Sequence, residues 1–113
     1  MTDPTFDTVA IVGLGLIGSS VARGLKSRGL ARRVIGYDSS IQVHARAKEL
    51  GFGDHVANTP AEAVKDAELV LIAVPVGATA DAVKSVAPHL REGAILTEVG
   101  SVKAAVIRQV LAV

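Results

Sequence analysis

Compact apolar runs and amphipathic stretches alternate along the whole chain. Residues 8–12 (Thr-Val-Ala-Ile-Val) read as a strand. Leu16–Ser27 repeats apolar residues at helical spacing, with Ile17, Val21 and Leu25 on one face, and Gly29 stops it. A second strand is predicted at 34–37. The helix after it keeps Val43, Ala47 and Leu50 in phase, with Ser39 or Ser40 as its N-cap and Gly51 as its stop. Residues 55–58 read as a short third strand. Thr59-Pro60-Ala61-Glu62 has the signature of a helix start: a threonine cap, proline at the first helical position and a glutamate that closes a capping box. That helix should end near Asp66. The continuous apolar run 69–74 predicts a central strand buried on both faces and stopped by Pro75. A fourth helix at 78–87, a fifth strand at 94–99 and a last helical pattern from Ser101 to Val113 complete the series.

Strands alternating with helices predict an α/β fold, a Rossmann-type parallel sheet with helices on both faces. Right-handed crossovers from a ligand site at the first turn give the strand order 3-2-1-4-5, truncated before a sixth strand. The crevice between strands one and four is then the topological switch point. It places residues 13–18, Val74-Pro75 and Gly100-Ser101 at the carboxyl ends of the strands.

The first turn reads Gly13-Leu14-Gly15-Leu16-Ile17-Gly18, with a strand before it and a helix after it. In that setting G-x-G-x-x-G has a physical meaning. Gly13 permits the tight turn, Gly15 lets a pyrophosphate reach the backbone, and Gly18 lets helix and strand pack closely. The free N–H groups at the helix start, those of Leu16 and Ile17 among them, face the phosphates. Asp38 ends the second strand about twenty residues after Gly18, where a carboxylate bonds the ribose hydroxyls of NAD and repels the 2′-phosphate of NADP. Backbone at Val74, Pro75 and Gly100 is predicted to line the same cofactor.

Composition narrows the classes. A chain of 113 residues is one domain, and a core must come from Val, Ala, Ile and Leu, because Phe6, Tyr37 and Phe52 are its only aromatics. Twelve basic and eleven acidic residues leave a scattered net charge of +1, with no basic stripe for a nucleic acid. Arg32-Arg33, the one adjacent basic pair, reads as a solvated turn. There is no cysteine, hence no disulfide framework or thiolate metal site. The polar, acidic residues 1–7 read as a lead unlike a signal peptide, and no apolar stretch is long enough to cross a bilayer, so the expected location is cytoplasmic. Of the three histidines, His44 falls on the polar side of the second helix, while His55 and His89 lie near loops. All three read as solvated surface, and no metal-ligand spacing is present. Ser101, directly after strand five, caps the last helix and is the candidate catalytic hydroxyl. Lys103 reads as a surface charge.

Four stretches, Val12-Gly13-Leu14-Gly15-Leu16-Ile17-Gly18-Ser19-Ser20, Ile35-Gly36-Tyr37-Asp38, Ala73-Val74-Pro75-Val76 and Val99-Gly100-Ser101-Val102-Lys103, closely resemble the prephenate and arogenate dehydrogenase family of tyrosine biosynthesis. The resemblance implies a cofactor domain at 8–113 and a helical C-terminal domain, absent from these residues, that binds substrate and builds a homodimer. It implies oxidative decarboxylation of prephenate or arogenate, with hydride passing to NAD. Ser101 would bond the substrate hydroxyl and the histidine of a Gly-His-Pro motif, which these residues lack. Glu98 stands where the family usually has Asp, and Ser19 replaces a common second glycine. The chain by itself is expected to bind NAD without catalysis. Two other readings remain open at this level: an NAD-dependent dehydrogenase or reductase of similar fold, such as a β-hydroxyacid dehydrogenase or imine reductase, and a non-catalytic NAD-sensing module.

Overall fold

The structure is a computed structural model that describes residues 5–50 and 53–98. Its elements follow in the order β1 (Phe6–Val12), α1 (Leu16–Ser27), β2 (Ala31–Tyr37), α2 (Ile41–Glu49), β3 (His55–Val56), α3 (Pro60–Val64), β4 (Leu69–Ile72), α4 (Thr79–Val86) and β5 (Ile95–Glu98), with 3-10 turns at Val76–Ala78 and Ala87–His89. The five strands form one parallel sheet in the order β3-β2-β1-β4-β5. The order predicted from the hydrophobic pattern is therefore the order observed. The expected helix from Ser101, the stop at Gly51 and residues 99–113 as a whole lie outside the described residues.

Alternation along the strands divides the core between two faces. On β1, Val9 and Ile11 pack with Val21, Ala22 and Leu25 of α1, while Ala10 and Val12 pack with Ala63 and Val64 of α3 and Val86 of α4. Leu69 and Leu71 of β4 join the first group, and Val70 and Ile72 the second. All four residues of β4 are buried, as a strand covered on both faces requires. Each buried valine, leucine or isoleucine contributes about 1.5–3 kcal/mol and each alanine less, the main favourable force in this aromatic-poor chain.

Several local expectations are corrected. Ile17 is 51% exposed, because the inward arc of α1 is Gly18, Val21, Ala22 and Leu25, whose centre lies about a quarter turn away from it. Arg32 and Arg33 are exposed residues within β2, whose pairing with β1 extends back to Ala31, and Arg32 Nε lies 2.9 Å from Asp7 Oδ1. The strand β1 likewise takes in Phe6 and Asp7, two residues of the expected lead. β3 keeps only two residues, and β4 ends at Ile72, before Pro75. Ser40, not Ser39, caps α2, its Oγ accepting from Val43 N at 3.4 Å. At α3, Thr59 Oγ1 accepts from Glu62 N at 3.1 Å, but the Glu62 carboxylate reaches one residue further back, to Asn58 N, and pairs with His55 Nε2 at 2.7 Å. The capping box is thus displaced by one residue because His55 draws the carboxylate toward β3.

The middle of β2 is held by Asp54. Its Oδ2 accepts from Val34 N at 2.7 Å while its own N–H donates to Val34 O, and Lys26 Nζ at the end of α1 lies 3.1 Å away. Burial raises the Asp54 carboxyl, but the Val34 N–H, the Lys26 ammonium and the Arg33 charge together outweigh it, holding the group below its ordinary value of 3.8. A depressed carboxyl stabilises the fold above its unfolded pKa, and that contribution is lost as pH falls through the folded pKa. Chemical denaturation between pH 5 and pH 3 should therefore show the unsubstituted protein losing more stability on acidification than Asp54→Asn.

Candidate functional site

The carboxyl edge of the sheet brings the glycine turn, the end of β2 and the segment after β4 together. Gly13 N donates to Tyr37 O at 2.8 Å, and Ala73 N donates to Val12 O at 2.7 Å, so the turn leaves β1 between its two neighbours. Gly13 has φ of +107°, and a Cβ there would sit 2.6 Å from Ala73 O and 3.0 Å from Val74 Cγ1. A Cβ on Gly18 would sit 2.0 Å from Gly13 O, which is the close approach of helix to strand. Around Gly15 a Cβ would meet nothing within 4 Å. Two glycines of the turn are thus fixed by the fold, and the third faces open space.

Gly15 is the N-cap of α1 and Ser19 N donates to Gly15 O at 3.0 Å, so the N–H groups of Leu16, Ile17 and Gly18 stand ahead of the first intrahelical bond. The first turn of α1 contains no acidic residue. Donors at the positive end of a helix, beside open space at Gly15, suit an anion.

Asp38 follows β2 and is half-buried. Its Oδ2 accepts from Leu14 N at 2.8 Å and its Oδ1 accepts from Ser40 N at 2.8 Å. One carboxylate therefore ties the glycine turn to the start of α2. An ionised carboxylate has about four acceptor positions, so one on each oxygen remains for a further donor pair. Ser19 Oγ donates to Leu14 O at 3.1 Å. The role of Ser19 was not legible from its position in the helix pattern. The available signal was a serine in the first turn, where hydroxyls fold back onto nearby carbonyls.

The structure places Gly13, Gly15, Ile17, Gly18, Asp38, Val74 and Pro75 at this edge, with Leu16 beginning α1. Gly100 and Ser101 lie outside the described residues. His44 is corrected from solvated surface to a half-buried brace: its Nε2 lies 2.9 Å from Ala57 O, which requires the proton on that nitrogen. His55 lies in β3 with Glu62 as partner, and His89 ends an exposed 3-10 turn. A cleft of about 1280 Å³ between α1 and α2 reaches the turn at Leu14, Gly15 and Ser19, but it lies on one flank of the sheet, away from the crevice between β1 and β4.

A parallel sheet of this order, with a glycine turn and a strand-end acid at its switch point, defines a Rossmann-type domain. Comparison with known proteins gives the family. The description "Prephenate dehydrogenase, nucleotide-binding domain" matches residues 21–113, and the chain belongs to that family. It is 44% identical over 103 residues to the cyclohexadienyl dehydrogenase of Zymomonas mobilis subsp. mobilis, covering 91% of this chain and 35% of that protein. Among solved structures, Synechocystis arogenate dehydrogenase superposes with a TM-score of 0.74 at 29% identity, over 91% of this chain and 37% of the other. Prephenate dehydrogenase from A. aeolicus, in complex with hydroxyphenyl propionate and NAD+, gives 0.74 at 27% identity over 93% and 38%. The chain therefore spans about a third of the length of these relatives. The family match begins after the glycine turn, so the turn is an independent observation.

The two constrained positions and the open one predict opposite tolerances. Gly18→Ala should destabilise by about 1–3 kcal/mol or more, since the Gly13 backbone cannot give way to the new methyl. Gly15→Ala should cost about 1 kcal/mol or less, as a poorer N-cap. Denaturant unfolding of the two variants checks the contrast.

Proposed function

We propose that the chain is the NAD-binding domain of a prephenate or arogenate dehydrogenase. The observation that carries this reading is the pairing of the open backbone at Gly15 with the Asp38 carboxylate at the end of β2. The first-turn N–H groups of α1 receive the pyrophosphate, and Gly15 gives it room. The free acceptor positions of Asp38 take the two ribose hydroxyls, while its charge repels a 2′-phosphate. Val74, beside Gly13, and Pro75, both in the segment after β4, line the nicotinamide side together with Gly100. The NAD complex of the A. aeolicus enzyme, which superposes on this chain, supports the choice of cofactor.

NAD supplies the hydride acceptor in this reading. The substrate is prephenate or arogenate, whose ring becomes aromatic as hydride and carbon dioxide leave. Ser101 bonds the reacting hydroxyl. The Zymomonas cyclohexadienyl dehydrogenase and the Synechocystis arogenate dehydrogenase support the substrate class. The chain spans about a third of those proteins, and in this reading the longer enzyme carries a helical domain that completes the substrate site and builds a homodimer. Among the described residues no helix is long and apolar enough to cross a membrane, and we place the enzyme in the cytoplasm.

Calorimetric titration tests the cofactor assignment. NAD should bind at least about tenfold more tightly than NADP, and Asp38→Ala should narrow that ratio, because the variant removes the acceptors for the diol and the charge that opposes the phosphate. Equal binding of both cofactors, or of neither, overturns the reading. The full-length protein should produce NADH in the presence of prephenate or arogenate, and Ser101→Ala should lower that rate by about tenfold or more.

A further inference from the structure

We propose that Ser19 is a positioning residue for the phosphate-binding turn and acts through the Leu14 peptide rather than by touching the phosphate. The proposal rests on the nucleotide reading given above. Leu14 is held at three points. Asp38 Oδ2 accepts its N–H at 2.8 Å, Ser19 Oγ donates to its carbonyl at 3.1 Å, and its side chain is only 5% exposed within the core under α1. Ser19 closes two nested loops over the turn, since its own N–H donates to Gly15 O at 3.0 Å while its hydroxyl reaches Leu14 O. The orientations of the peptides on either side of Gly15 are fixed in this way before any ligand arrives.

The chemistry of the hydroxyl decides between a direct and an indirect role. A serine has one O–H donor. Here it is directed to the Leu14 carbonyl, so what Oγ presents elsewhere is lone pairs, which repel a phosphate oxygen. Ser19 therefore serves the phosphate through the geometry of the turn. A segment with three glycines in six residues has the most backbone freedom to lose on binding. A clamp on the peptide of the buried Leu14 removes part of that loss in advance, which is the general basis of preorganised affinity. Asp38 is the other arm of the clamp, but its charge and its place at the ribose act on the ligand directly. Ser19 is uncharged and separates the positioning effect from those.

Three probes distinguish the roles: NAD, nicotinamide mononucleotide (a phosphate without the adenosine ribose) and adenosine (the ribose without a phosphate). Each is titrated into the unsubstituted protein, Ser19→Ala and Ser19→Thr, with exchange of the Leu14 amide followed by NMR. The expected result is that Ser19→Ala weakens NAD and the mononucleotide by the same factor, about fivefold, and leaves adenosine unchanged. Leu14 exchange should rise in parallel, and Ser19→Thr, which keeps the hydroxyl, should restore both. Equal losses for all three probes would mean a general loosening and would overturn the proposal. So would unchanged binding of NAD and the mononucleotide in Ser19→Ala. Failure of the unsubstituted protein to bind NAD overturns the nucleotide reading itself, a result distinct from an effect confined to the variants.

Discussion

The carboxyl edge of the sheet depends on how closely two stretches of backbone approach at the glycine turn. Gly18 lies so near Gly13 O that a methyl group has no room, and Gly13 lies almost as near Ala73 O. These contacts set the depth at which α1 sits on β1 and the distance between β1 and the segment leaving β4. Had either residue a side chain, the helix would stand off the sheet and its first-turn N–H groups would point elsewhere. The gain from burying Val21, Ala22 and Leu25 against Val9 and Ile11 depends on the same approach. Core packing and site geometry are therefore one constraint viewed from two sides.

A turn this free of side chains needs polar contacts to hold it in a single conformation. Leu14 supplies the point of attachment, with its side chain in the core and its peptide bonded to Asp38 and Ser19. Asp38 also bonds Ser40 N, so the turn after β1 and the start of α2 share one carboxylate. Among the described residues, no buried side-chain nitrogen or oxygen is left without a hydrogen-bond partner. Similar ties recur away from the site: Asp54 spans β2 and α1, and His44 spans α2 and the residue after β3. These ties use polar groups to register elements whose aliphatic faces alone would allow small slides.

Much of the architecture was legible in the hydrophobic pattern, because strand and helix periods differ and five alternations leave few topologies. The bounds of α1 and the strand order followed from it. Strand ends did not, because pairing with a neighbour, rather than local hydropathy, decides where a ladder stops. Arg32 and Arg33 extend β2 despite their charge because β1 continues beside them, whereas Val74 leaves β4 despite its apolar character because Pro75 follows it and the chain winds into a 3-10 turn. Ile17 shows the same limit within a helix: its spacing matched Val21 and Leu25, but the axis of the buried arc is set by Gly18 facing Gly13.

The sequence by itself determined the glycines, the acid at the end of β2 and the alternation that makes a doubly covered parallel sheet. Those features are local, and their spacing along the chain carries the physics. Only the tertiary structure decided which acceptor meets which donor. That Asp38 bonds Leu14 N, that the Ser19 hydroxyl turns back to Leu14 O and that Glu62 reaches Asn58 and His55 instead of its own cap all depend on the distance between side chains brought together by folding. A hydrogen bond is won or lost over less than an ångström, and periodicity along a sequence does not specify position so finely.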